Sequence, residues 1–295
     1  MLEQQLINGL TLGVIYALIA VGYTMVYGVI ELINFAHGEL YMLGAFFCVT
    51  FISAVGLPFY LAILLSMCCV GALGVLIDIV AYRPLRKAHR LAALITAIGM
   101  SIFLQNLAMI IRGSRPRPFI QDAVPAYLKE TALSWSDVHL TWLHLFIFGV
   151  TFAMMLGLML IINKTKVGTA MRALAQNSTC SQLMGIGVNR VISFTFALGS
   201  SLGAVAGILV AVYYNTLYPT MGYTAGVKAF AAAVLGGIGS VPGAMLGGIV
   251  LGVAESLGAG YVSSLYRDGV AYAVMIAVII FRPSGLLGKA MIEKA

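Results

Sequence analysis

The sequence predicts an all-α fold: a polytopic bundle of about eight or nine transmembrane helices, some short or broken, with an inverted internal repeat. Three observations carry that expectation. Of 295 residues, 61% are hydrophobic and 9% are charged, whereas ordinary soluble domains are roughly 25% charged. The apolar residues gather into runs near the length of about 20 residues that crosses a hydrocarbon layer. The charged residues gather in the stretches between those runs. A water-soluble globule would need far more Lys, Glu, Arg and Asp on its surface, so that class is excluded.

In chain order the runs fall near 5–30, 38–56, 58–81, 91–111, 141–163, 191–214, 223–239, 241–258 and 265–281, nine candidates within one membrane domain, 1–295. The first begins at about Leu6 and lacks the basic n-region and A-x-A-like site of a removable signal peptide, so it reads as a retained span. Runs 38–56 and 223–239 are short or Gly-rich and are candidates for broken or re-entrant helices. Cys48, Cys68 and Cys69 lie in apolar runs and Cys180 in a polar loop; their spacing suggests neither disulfides nor a metal site.

Orientation follows from Lys and Arg in short loops, which stay cytoplasmic during insertion. The loop 82–90 carries Arg83, Arg86, Lys87 and Arg90, the loop 164–190 carries Lys164, Lys166, Arg172 and Arg190, and the tail carries Arg282, Lys289 and Lys294. All three are expected inside. The segment 112–140, in which Arg112, Arg115, Arg117 and Lys129 are partly balanced by Asp122, Glu130 and Asp137, then lies outside. Nine crossings put the N-terminus outside and the C-terminus in the cytoplasm. The net charge of +7 is scattered over these loops, which is the pattern of membrane orientation and not of nucleic-acid binding.

Aligning Gly44 with Gly236 makes the stretch after Phe35 resemble the stretch after Val227: a short small-residue helix, a glycine break, then a Gly-rich apolar helix. The paired units lie five crossings apart, so they enter the membrane in opposite directions. First and second repeats are expected near 5–111 and 141–281. Many transporter folds are built this way, with the pathway at the repeat interface. Gly236, Gly237, Gly243, Gly247 and Gly248 would let helix backbones approach closely.

Ionisable groups inside lipid are costly, so Glu31, His37, Glu39, Asp78, Lys228 and Glu255 each need an explanation. Asp78 sits near the end of the third run, where it reads as a snorkelling or capping group. Asn34, His37, Gly38 and Glu39 read as a polar helix break whose side chains satisfy freed backbone groups. His37 and Glu39 are too few for a zinc site. Lys228 and Glu255 lie among small residues and are expected to pair, either holding the bundle together or lining a pathway. Tyr16, Tyr23, Thr24, Gln105, Asn106 and Asn215 are further candidates for hydrogen bonds along a weakly polar route. The stretch from Thr169 to Met184 reads as an amphipathic helix with Ala170, Ala173 and Leu174 on one side and Arg172, Gln176 and Asn177 elsewhere, stopped by Gly185 and Gly187.

Four segments resemble the membrane permeases of branched-chain amino acid ABC importers: Asn34–Ala45, with Asn34-Phe35-Ala36-His37-Gly38-Glu39; Val167–Asn177 ending in Leu183-Met184-Gly185-Ile186; Ala233–Ser240 with Pro242-Gly243-Ala244; and Phe281–Gly288. The resemblance implies a bacterial cytoplasmic-membrane protein that works with a homologous second permease, two cytoplasmic ATPase subunits and a periplasmic or extracellular solute-binding protein. It implies that the loop 164–190 docks the ATPase through Arg172, Ala173, Gln176, Asn177, Leu183 and Gly185. It also includes urea and short-amide permeases as relatives.

The residues agree with a transport subunit that is not an enzyme and holds no cofactor. The chain has no G-x-x-x-x-G-K-[ST] phosphate loop, so ATP hydrolysis would fall to a partner. An ion-coupled secondary transporter is the competing reading, since inverted repeats serve that class too. A membrane-embedded enzyme is a weaker one, because no nucleophile, base and metal gather on one face.

Overall fold

Inside a bilayer the backbone must satisfy its own hydrogen bonds, and an apolar chain does so as helix. The computed structural model describes residues 2–288 apart from 31, 33, 87, 136, 137 and 283. Glu31, Lys87, Asp137, Pro283, Lys289 and Lys294 therefore lie outside the described residues. The helices are α1 (Leu2–Ile30), α2 (His37–Val55), α3 (Phe59–Ile77), α4 (Arg90–Arg112), α5 (Trp142–Lys164), α6 (Lys166–Gln176), α7 (Ser178–Leu183), α8 (Val188–Tyr214), α9 (Met221–Gly236), α10 (Val241–Tyr261) and α11 (Arg267–Phe281). Eight of the described helices are long and apolar enough to cross a membrane: α1 to α5, α8, α10 and α11 with its preceding turn. The ninth apolar run becomes α9, only 16 residues, or about 24 Å, short of a hydrocarbon core of about 30 Å.

Local chemistry sets the ends. Gly56 (φ +71°) stops α2, and Pro58 precedes α3. The break expected at Gly44 is absent: Gly44 is buried within α2, which runs eleven residues beyond it to Val55. A repeat register pairing Gly44 with Gly236 therefore does not match the helix boundaries, since Gly236 ends α9. After Ile77 the chain continues through a π-turn (Asp78–Tyr82) and a 3-10 turn (Arg83–Leu85). The segment between α4 and α5 adds a small antiparallel hairpin, β1 (Thr131–Trp135) with β2 (Val138–Thr141), to the otherwise helical fold.

α1 and α8 are buried along most of their length, while α4, α5 and especially α11 are largely exposed. Lipid supplies no hydrophobic drive between helices, so close backbone contact must hold them. Thus Gly9 and Gly13 of α1 meet Val253 and Ile249 of α10, where an added Cβ would come within 2.8 Å of either Cα. The packing has an exchange pattern: α1 packs on α10 as α8 packs on α3, α2 on α8 as α9 on α1, and α2 on α3 as α9 on α10.

The connections sort onto two faces. On one, His139 N–H donates to Gln4 Oε1 (2.8 Å), and Arg117 and Leu217 exchange backbone hydrogen bonds of 2.8 Å, joining the start of α1, the 113–141 segment and the α8–α9 connection. On the other, Arg86 reaches Asn189 at the start of α8, and Leu286 and Leu287 bond the end of α9.

Candidate functional site

Three groups of residues form the candidate site. The first is where α2 and α9 begin. Both helices start inside the bundle, because His37 lies against Gly22 of α1, eight residues before that helix ends. Gly38 of α2 packs on Gly222 and Gly226 of α9, with no room for a side chain between the backbones. Two helix N-termini, each a positive dipole end, are thus brought together. Glu39, fully buried in the first turn of α2, lies at both: a Cβ on Gly222 would be 2.5 Å from its Oε2. Its Oε1 accepts from Ser101 Oγ of α4 (3.1 Å). The buried His37 ring packs edge-on against Tyr23, with 4.7 Å between centroids.

The expectation that these polar side chains cap freed backbone groups is not met. Ala36 provides the α2 N-cap without a side-chain bond, and Asn34 Oδ1 instead accepts from Tyr82 Oη (2.7 Å). The segment links the start of α2 to the π-turn after α3 and to α4, with Glu39 at the positive ends of both helices.

The second group surrounds Lys228 and Glu255. The two pair as expected, Lys228 Nζ donating to Glu255 Oε1 at 2.9 Å. Two residues that sequence reasoning missed complete the network. Arg267 Nε lies 2.6 Å from the same Glu255 oxygen, and Asp268 Oδ1 lies 2.6 Å from Lys228 Nζ. Both stand at the start of α11, where a charged pair before an apolar run looks like an ordinary membrane-interface anchor. Tyr16 Oη also donates to Glu255 Oε1 (3.2 Å), and Arg267 bonds the Tyr214 hydroxyl over whose ring it sits. The network lines a cavity of about 350 Å³, with Val210, Met221 and Ala225 on its apolar side. Of the six candidates for passing hydrogen bonds, only Tyr16 lines this cavity.

Along α9, Phe230 follows the cavity residues and packs against Tyr23 and Phe35. Beyond it, on the other face, a second cavity of about 630 Å³ is bordered by Arg172, Ile238, Ser240 and Leu287. Gly236 sits backbone to backbone with Gly243 of α10, and Gly237 (φ +103°) turns the chain between the two helices. Leu286 N–H and Leu287 N–H donate to the carbonyls of Leu235 and Gly236 (2.9 and 3.0 Å), capping α9. Two sequence segments fifty residues apart thus form one structural unit.

The third group is the loop 164–190. One continuous helix from Thr169 to Met184 does not form: the chain breaks at Asn177 (φ −162°, ψ 112°), whose Oδ1 caps α7 by accepting from Cys180 N–H (2.9 Å). The buried side of α6 is Gly168, Met171 and Leu174, with Ala170 and Ala173 at its margin. Arg172, Gln176 and Asn177 are exposed. Leu183 and Met184 are 82% and 83% exposed, two apolar knobs held out by the Gly185 turn (φ +83°). Asp78 corrects a further expectation. It neither snorkels nor caps; it is fully buried by the π-turn, paired with Arg86, and accepts from Ser193 Oγ at 2.6 Å. Among the described residues no group of three or more His, Cys, Asp or Glu could hold a metal ion.

Bundled apolar helices, short helices meeting inside them, cavities at both faces and a polar loop with two exposed apolar residues are the features of a membrane transport protein. The chain belongs to the family described as the permease component of the branched-chain amino acid transport system, which it matches over residues 5–279. It is 47% identical to the high-affinity branched-chain amino acid transport system permease protein BraD of Pseudomonas aeruginosa, covering 99% of this chain and 97% of that one. It is 45% identical to the corresponding LivH of Escherichia coli K12, with the same coverage. A solved structure of PsaBC from Streptococcus pneumoniae in complex with Fab superposes with a TM-score of 0.49 at 13% identity, covering 94% of this chain and 91% of that one. The chain is a transport subunit and one component of a larger transport system.

Proposed function

We propose that this chain is the membrane-spanning permease subunit of an ATP-driven importer carrying branched-chain amino acids across the bacterial cytoplasmic membrane. The observation that carries the reading is similarity over essentially the whole chain to two permeases of high-affinity branched-chain amino acid transport. Its partners are a homologous second permease, two cytoplasmic ATPase subunits and an external solute-binding protein. The N-terminus and the 113–141 segment face outward, and the loops carrying Arg83, Arg86 and Arg172 face the cytoplasm, in accord with the bias of Lys and Arg toward that side.

The loop 164–190 couples the bundle to the ATPase through Leu183, Met184, Arg172, Gln176 and Asn177. Its exposed leucine and methionine supply the apolar contact that a docked soluble subunit would bury. The exchange of packing partners between α1–α2–α3 and α8–α9–α10 supports an inverted repeat over those elements. The test is copurification of the tagged chain from its native membrane in mild detergent. Recovery of a second permease with two ATPase subunits is expected; a homo-oligomer without ATPase would overturn the reading.

A further inference from the structure

The charged cavity does not need its four ionisable residues to hold α9, α10 and α11 together, since close apolar packing could do that without the cost of burying ions. Its formal charges are two positive, Lys228 and Arg267, and two negative, Glu255 and Asp268. They are unevenly satisfied. Lys228, Arg267 and Tyr16 converge on one oxygen of Glu255, while the other, Oε2, is buried without a hydrogen-bond partner in a residue that is 0% exposed. Leaving a buried carboxylate oxygen bare is costly, so the network is not arranged for packing alone. Asp268, with its side chain 56% exposed, marks the open edge. The cavity, about 350 Å³, lies within the roughly 300–1,000 Å³ of small-molecule sites.

We propose that this cavity binds the zwitterionic headgroup of an α-amino acid, its carboxylate at Lys228 and Arg267 and its ammonium at Glu255 and Asp268. The apolar side chain lies against Val210, Met221 and Ala225. A zwitterion exchanges partners with the network and leaves its net charge at zero. A ligand with a single charge leaves one ion unpaired in the low-dielectric interior. The proposal rests on the importer reading above and adds a site within the permease where the headgroup is read.

The test is saturation-transfer NMR on the complete transporter in nanodiscs, with leucine, 4-methylpentanoate (leucine without its ammonium) and 3-methylbutylamine (leucine without its carboxylate) as probes. Leucine is expected to bind, and each analogue to bind about tenfold more weakly, the loss of one charge-assisted contact. Asp268→Asn, at a half-exposed position and with Lys228 still paired to Glu255, is expected to fold, to weaken leucine and to narrow its advantage over 4-methylpentanoate. Equal binding of the three probes, or unchanged selectivity in Asp268→Asn, overturns the site if the same complex still shows ATP-driven leucine uptake. Absence of that uptake in the unsubstituted complex overturns the importer reading itself, and the site falls with it.

Discussion

Two buried carboxylates at opposite faces of the bundle carry opposite lessons. Asp78 has both oxygens engaged, one by Arg86 and one by the Ser193 hydroxyl, in a packed π-turn. Glu255 takes two hydrogen bonds, from Lys228 and Tyr16, and the Arg267 guanidinium on one oxygen, has no partner on the other, and borders a cavity. A saturated buried ion is a rivet between the π-turn after α3 and α8; an unsaturated one at the border of a cavity is not arranged for packing alone. Burial alone does not separate the two, for both residues are fully buried.

Substitutions can sharpen or break that distinction. Glu255→Gln should have the largest effect, costing about 3–5 kcal/mol by removing the buried carboxylate shared by Lys228 and Arg267 and abolishing uptake. Thermal unfolding and transport assays measure the two losses. The Lys228→Met/Glu255→Gln pair should recover much of the stability but not the uptake; recovery of both would reduce the network to a rivet like the other. Asp78→Asn should cost a similar 3–5 kcal/mol by leaving Arg86 without its carboxylate, yet leave the apparent KM of correctly folded protein unchanged. A shifted KM would break the contrast. Ser193→Ala removes one hydrogen bond to the same carboxylate and should lower stability by about 1.5–3 kcal/mol, again without altering KM. Leu183→Asp with Met184→Asp should change stability by no more than about 0.5 kcal/mol, since both are exposed. It should nevertheless uncouple ATP hydrolysis from uptake; full coupling would remove the docking role of the loop.

The apolar runs were legible because a bilayer demands length and composition together, and the structure follows them nearly run by run. The Lys228–Glu255 pair was legible for a similar reason: two opposite charges in apolar surroundings seek each other. Arg267 and Asp268 were not, since their membership depends on the start of α11 folding back onto α9 and α10, which no spacing in the chain announces. The break at Asn177 was missed although Asn is a favoured N-cap and the Ser178-Thr179-Cys180-Ser181 after it forms helix less readily than the Ala173-Leu174-Ala175-Gln176 before it. Gly44 misled for the converse reason. Mid-helix glycine permits close approach, here to Ala204 of α8, as readily as it permits a break.

The most direct test of the account is leucine uptake into proteoliposomes holding the copurified complex, with external binding protein and ATP enclosed on the ATPase side. Uptake that requires ATP hydrolysis and survives collapse of every ion gradient is the predicted result. Uptake that continues without ATP and stops when the ion gradient is collapsed would contradict it.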